Sequence, residues 1–248
     1  MLPPLVLKLA RVVDLTAADV AALGRLGGAP KRCAAGTTLL EAGRRMGAAV
    51  LVHEGWAFRH RTLRDGRRQV MDFVLPGDIC DPTVFVTPRA DFSMQAITPL
   101  SYSLLQPEDI LDLINRLPRI GAAFWWAEAH EEAITRAHLV AVGRLSAMER
   151  VAYLFWEMWT RLRAVNLASG DGFELPATQE LIADAAGLSF VHVSRTLRRL
   201  QAEAIIRRVP RGWRIVDVAR LRELGQIAGG LHLGPLPRQT QQRLKRYL

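Results

Sequence analysis

Between Gln179 and Leu200 the chain reads Gln-Glu-Leu-Ile-Ala-Asp-Ala-Ala-Gly-Leu-Ser-Phe-Val-His-Val-Ser-Arg-Thr-Leu-Arg-Arg-Leu. The spacing suits a helix-turn-helix, whose second helix reads base edges of duplex DNA. With Gln179 as the first position, the fifth is Ala183, small enough for two helices to cross closely. The ninth is Gly187, able to take the left-handed conformation of the turn. Ile182, Ala186, Leu188, Val193 and Leu197 fall where the inner faces must be apolar, and Ser189 is positioned to cap the second helix. The outward face of that helix then presents Val191, His192 and Arg195 near its start, with Arg198 and Arg199 one turn further on. The first turns of such a helix enter the major groove, where arginine donates two hydrogen bonds to guanine. Arg195 is therefore the preferred base reader. His192 is expected to donate to a base or a phosphate and Val191 to pack on a thymine methyl, while Thr178, Gln179 and Ser189 hold phosphates at helix starts. Arg198 and Arg199 fit either a phosphate contact or a solvated helix face.

The charge distribution points the same way. The chain carries a net charge of +9, yet residues 187–214 alone hold seven arginines against the single acid Glu203. Residues 231–248 add Arg238, Arg243, Lys245 and Arg246 with no acid, so the rest of the chain is almost neutral. A basic excess confined to one region implies a polyanionic partner, double-stranded DNA ahead of a membrane surface. After the second helix, Ala204-Ile-Ile-Arg-Arg-Val and Gly212-Trp-Arg-Ile-Val flank Pro210-Arg211-Gly212, which reads as a two-stranded wing with Arg211 at its tip. Such a wing would follow a phosphate backbone.

These groups need elements to position them. From about residue 31 to 106 the chain reads as short strands, among them Val50–Gly55, Trp56–Thr62, Gln69–Leu75, Phe92–Ile97 and Leu100–Leu105. Asp65-Gly66 and Pro76-Gly77-Asp78 supply turns. Strands at this spacing predict an antiparallel jelly roll or barrel. After Pro107 the period lengthens: a short helix starts there, and a long one runs from Pro118 to about Val142. Heptad spacing along the long helix links Ala123, His130 and Ala137, and also Trp126, Ala133 and Val140. This seam predicts homodimerisation, the competing reading being a helix buried in its own core. Ser146-Ala-Met-Glu149 is a capping box opening a further helix to about Ala164. The expected class is α+β. Residues 1–117 form a jelly-roll sensor domain, 118–144 a dimerisation helix, 145–228 a winged helix-turn-helix domain and 229–248 a basic extension. That extension reads equally as a disordered tail, an extra phosphate contact or a packed arm.

Several function classes are excluded or disfavoured. With 248 residues and 50% hydrophobic content the chain buries one or two cores and is not intrinsically disordered. No uninterrupted apolar run matches a bilayer span, and the start lacks a charged leader, so an unexported cytoplasmic protein is expected. Cys33 and Cys80 supply neither an iron–sulfur cluster nor a disulfide framework. A cupin-type metal site needs His-x-His, which is absent, as are a phosphate-binding glycine loop and a Gly-x-Ser-x-Gly elbow. No enzymatic activity, metal or cofactor is expected.

In order of parts, residues 15–225 resemble the CRP/FNR family of bacterial transcription regulators. Leu75-Pro-Gly-Asp78 and Gly187-Leu-Ser-Phe-Val-His-Val-Ser-Arg195 are the most specific pieces. The resemblance implies a cyclic-nucleotide-binding-like jelly roll, a long dimer helix, a winged helix reading an inverted repeat, and RNA polymerase as a partner. It also assigns Ser194 and Arg195 to the Ser-Arg pair of the family's recognition helix. Val191 stands where a glutamate is common, so the usual half-site does not transfer.

The barrel departs further. Asp81 and Pro82 occupy the places of the glycine–glutamate pair that holds ribose in cyclic-AMP-responsive members. Ala90-Asp91 lies at the arginine–serine position, with Arg89 one residue out of register. Carboxylates at Asp81 and Asp91 would repel a phosphate, so cyclic AMP is not the expected ligand and the effector is unassigned. The cysteine cluster of the oxygen-sensing members is missing. Haem ligation by His53, His60, His130 or His138, and redox sensing by Cys80, are competing readings, as is an interaction module whose helix-turn-helix does not read DNA specifically. Arg59, His60, Arg61, Arg64, Arg67 and Arg68 form a second basic cluster around Asp65-Gly66. It reads as a solvated hairpin or as a contact for RNA polymerase or an anionic effector.

Overall fold

The computed structural model describes residues 2–82, 84, 86, 89–168, 173–210, 212–225, 239 and 242. Arg211 and, apart from Gln239 and Gln242, the extension 229–248 lie outside the described residues.

Alternating side chains between residues 31 and 105 build two antiparallel four-stranded sheets. The strands are β1 (Lys31–Cys33), β2 (Thr38–Leu40), β3 (Ala49–Glu54), β4 (Ala57–Thr62), β5 (Arg68–Val74), β6 (Ile79–Cys80), β7 (Ser93–Ala96) and β8 (Leu100–Leu105). One sheet has the order β1-β8-β3-β6 and the other β2-β7-β4-β5. Val50, Val52, Ala57, Val74, Phe92, Met94 and Leu100 fill the space between them, the packing expected of a jelly roll.

Two helices precede the barrel, and periodicity did not single them out. The first, α1 (Pro4–Ala10), starts with proline at a position that needs no amide donor and buries Leu5, Val6 and Leu9. It lies directly on the Pro-Gly-Asp turn: Gly77 has φ +90°, and a Cβ there would come within 2.9 Å of the Pro4 carbonyl oxygen. The second, α2 (Ala17–Arg25), is held by a Thr16/Asp19 capping box.

Beyond the barrel come α3 (Pro107–Arg116), α4 (Pro118–Arg144) and α5 (Ala147–Ala164), the last opened by the Ser146/Glu149 capping box. The C-terminal part comprises β9 (Glu174–Leu175), α6 (Gln179–Ala186), α7 (Phe190–Ala202), β10 (Ile206–Val209), β11 (Gly212–Ile215) and α8 (Val218–Leu224). Strands β10, β11 and β9 pair antiparallel in that order. Phe58, Val70, Phe73 and Leu75 of the barrel join Val151, Phe155, Ile182, Val193 and Leu197 in one buried cluster. The barrel and the helix-turn-helix thus share a core rather than meeting across a solvated linker.

The expected seam of α4 needs correction. Ala123 is 0% exposed within its own protomer, and Trp126, His130, Ala133 and Ala137 are half-buried, Trp126 and His130 stacking on each other at 5.1 Å. The apolar side chains that α4 leaves open are Trp125 (79%), Leu139 (74%) and Val140 (55%). Heptad counting fixes a spacing but not its phase. The burial of Ile120, Ala123, Phe124, Ile134 and Ala141 rotates the free stripe onto Trp125 and Leu139.

Candidate nucleic-acid interface

Local capping builds the recognition unit. The Thr178 hydroxyl accepts the Leu181 amide at 3.1 Å and starts α6, and the Ser189 hydroxyl accepts the His192 amide at 3.3 Å and starts α7. Between them Gly187 takes φ +62°, ψ 39°, and the Leu188 amide returns to the Ala183 carbonyl at 3.0 Å. Ala183 is buried at the crossing, and Val193, Leu197 and Leu200 are buried on the inner face of α7.

On the opposite face Val191, His192, Arg195, Arg198 and Arg199 are all exposed, with Phe190 beside them. Arg195 has no ion pair among the described residues. Arg199 is engaged at 3.0 Å by Glu203, and Arg198 leans on the Ser194 carbonyl at 3.4 Å. Ser194 is half-buried, Thr178 is exposed and Gln179 half-buried at the start of α6. In the wing, the Arg208 guanidinium stacks 4.6 Å from the Trp213 ring. This surface can approach an anionic groove with exposed donors, a capped helix start and few carboxylates.

The four barrel residues expected to bear on an effector differ in exposure. Arg89 is exposed and donates to the Gly43 carbonyl at 2.9 Å, Asp91 is exposed, and Asp81 is half-buried with φ +58°. Cys80 is buried among apolar side chains, and burial, opposed by Arg59, pushes its thiol up to about 12. This corrects the sensor reading: a redox cysteine works as an accessible thiolate, and Cys80 is held as a buried thiol.

Arg59 also departs from the expected solvated hairpin. Its guanidinium lies over the Phe92 ring at 5.4 Å, its Nε donates to Asp72 at 2.8 Å, and it reaches Glu131 at 3.2 Å. Lys8 of α1 donates to Asp78 at 2.8 Å and to Glu131 at 3.3 Å. Arg161 of α5 donates to Asp78 at 2.7 Å, Glu157 at 3.0 Å and the Phe73 carbonyl at 2.8 Å. His138 of α4 donates to the Met71 carbonyl at 3.0 Å and pairs with Glu157. Burial opposes the charge on His138, but Glu157 and the Met71 carbonyl outweigh it and raise its pKa to about 9. Burial likewise opposes ionisation of Glu131, yet Lys8, Arg161 and Arg59 hold it well below the ordinary carboxylate range.

Sequence reasoning missed this network. Its one local signal is Glu157 and Arg161 set four apart within the apolar run of α5. Of the other histidines considered for haem, His53 bonds Ser103 at 2.8 Å, His60 tilts against Phe58 and His130 stacks on Trp126. Among the described residues no three His, Cys, Asp or Glu are gathered as a metal would require, and no helix is long and apolar enough to cross a membrane.

Comparison with known proteins agrees with both halves. Residues 30–117 match the cyclic nucleotide-binding domain and residues 149–224 the Crp-like helix-turn-helix domain. Over 173 residues the chain is 32% identical to the nitrogen fixation regulation protein FixK of Bradyrhizobium diazoefficiens, covering 70% of this chain and 72% of that protein. It is 30% identical over 206 residues to the transcriptional activator protein FnrL of Cereibacter sphaeroides, with 82% of each covered. The structure of FixK2 from Bradyrhizobium japonicum superposes with a TM-score of 0.71 at 25% identity, over 81% of this chain and 98% of that one. With the jelly roll, the long helix and the winged helix-turn-helix in the order these relatives share, the chain belongs to the CRP/FNR family of DNA-binding transcription regulators.

Proposed function

We propose that the chain acts as a homodimer whose two α7 helices read an inverted repeat in duplex DNA, with Arg195 as the principal base reader. The observation that carries this reading is the exposed Val191–His192–Arg195 face immediately after the Ser189 cap, on a helix whose other face is wholly buried. His192 and Val191 read flanking bases. Thr178, Gln179, Ser189, Ser194, Arg198, Arg199 and Arg211 hold phosphates. The exposed Trp125, Leu139 and Val140 stripe of α4 is the dimer contact.

Cyclic AMP has no place in this scheme. Asp81 and Asp91 add carboxylates where the resemblance would need groups that hold ribose and phosphate, and the buried cation Arg59 is already neutralised by Asp72 and Glu131. Selection from a random DNA pool at near-physiological salt tests the reading. An enriched inverted repeat with half-sites about one helical turn apart supports it. Enrichment of a single half-site, or of nothing, refutes it. Micromolar binding of cyclic AMP by calorimetry would refute the statement about the barrel.

A further inference from the structure

A cleft of about 1160 Å³ opens between α5, α8 and the end of α1. Among the described residues that line it, none comes from a barrel strand or from the exposed face of α7. It is thus separate both from the barrel interior and from the surface that approaches DNA.

Its charge is one-sided. Arg11 stands at the C-terminal end of α1, Arg163 in the last turn of α5 and Arg222 in the last turn of α8. All three are exposed, and none has an ion pair among the described residues. Among the described lining residues the single carboxylate is Asp217, which caps α8 by accepting the Arg220 amide at 2.8 Å. Cations left unneutralised on three elements attract an anion into the space between them. The walls they stand on are apolar. The Arg163 guanidinium lies 5.0 Å over the half-buried Trp159 ring, and Val216, 43% exposed, stands with the half-buried Val218 beside α8. The Thr160 hydroxyl already donates to the Trp156 carbonyl at 2.9 Å, so the lining offers little to a sugar or polyol.

We propose that this cleft binds an aromatic carboxylate, its carboxylate held by Arg11, Arg163 and Arg222 and its ring covering Trp159, Val216 and Val218. A guanidinium fork matches the two oxygens of a carboxylate, and its face stacks on a ring as Arg163 does on Trp159. An inorganic anion would use the arginines and leave the apolar wall in water. An aromatic carboxylate uses both. Helix α1 packs on the barrel through Leu5 and Leu9, whereas α8 belongs to the C-terminal part, so the ligand ties the N-terminal helix to the winged helix.

The test is calorimetry on the full chain with naphthoate as the probe and naphthamide, the same ring without the charge, as its control. Saturable binding of naphthoate is expected, weakened at least tenfold by Arg11→Ala and by Arg222→Ala. Naphthamide is expected to bind at least tenfold more weakly than naphthoate. Val216→Asp, which sets a like charge on the apolar wall, is expected to abolish naphthoate binding. All three side chains are exposed, so the variants keep the native melting profile. No saturable binding of naphthoate at millimolar concentration, or equal affinity for naphthamide, overturns the proposal. Equal affinity in wild type and all three variants also overturns it, because the probe then lies on another apolar surface such as the Trp125 stripe. None of these outcomes depends on which sequence α7 reads.

Discussion

Arg161 on α5 and Asp78 in the barrel's Pro-Gly-Asp turn meet at 2.7 Å with side chains only 9% and 10% exposed. The pair joins the helix that leads into the helix-turn-helix to the barrel, and Lys8 of α1 holds the same carboxylate at 2.8 Å. Removing one partner of a buried pair leaves an uncompensated charge, so Arg161→Met is expected to cost roughly 3–5 kcal/mol of stability. Lys8→Met should cost less, because Asp78 then keeps Arg161 and its bond to the Leu75 amide. Urea denaturation of the two variants measures both. Equal small losses would show that the network contributes little.

His138 gives stability a pH dependence of known sign. Its pKa in the fold is about 9 against an ordinary 6.5, because Glu157 and the Met71 carbonyl overcome the cost of burial. The folded state binds the proton more tightly, so the contribution is complete below about pH 6.5 and is lost as the pH climbs through about 9. Asp72 adds to the effect, Tyr153 meets the ring edge-on, and Arg161 shares Glu157. Denaturation at about pH 6 and about pH 10 should show a drop in the wild type that His138→Gln reduces. An unchanged drop in the variant would assign it to other groups.

The recognition helix separates two kinds of arginine. Arg195→Ala should cost about 1–3 kcal/mol of binding to the selected site and relax preference at one base pair. Arg211→Ala should weaken binding to all sequences evenly and lower the salt slope by about one. Competition titrations against the selected and scrambled duplexes distinguish them. Retained affinity and preference in Arg195→Ala would move base reading to His192 or Arg198.

The helix-turn-helix was legible because its constraints are local. Ala183, Gly187 and Ser189 lie within seven positions, and each answers to a steric or capping rule. The barrel strands were legible from turns and alternation. The polar network was not, since Lys8 and Arg161 find Asp78 across 70 and 83 positions, and charged residues read singly look like surface. Arg59 failed for the same reason: it stands in a basic run, yet its strand carries it to the buried Asp72.

Cys80 provides a chemical check on burial. With its thiol pushed up to about 12 and its side chain enclosed, a thiol-alkylating reagent should leave it unmodified in the native protein and label it only on unfolding. The half-buried Cys33 should react first. Rapid native labelling of Cys80, read by mass spectrometry, would show that the barrel opens and would restore it as a sensor.

The phase of α4 decides which substitutions separate protomers. Trp125 and Leu139 lie fourteen positions apart, two heptads on one face, and are the most exposed large apolar side chains of the helix. If the proposed dimer forms through this stripe, Trp125→Glu together with Leu139→Glu should leave the chain monomeric with its fold intact, because both side chains are exposed in the single chain. Ala123→Glu should instead unfold the chain, since that position is sealed beside Ile120 and Phe124. Sedimentation with circular dichroism reads both effects. A folded, dimeric double variant would return the interface to another face of the molecule. A monomeric one should also lose most affinity for the inverted repeat, since each half-site would then be bound without its linked neighbour.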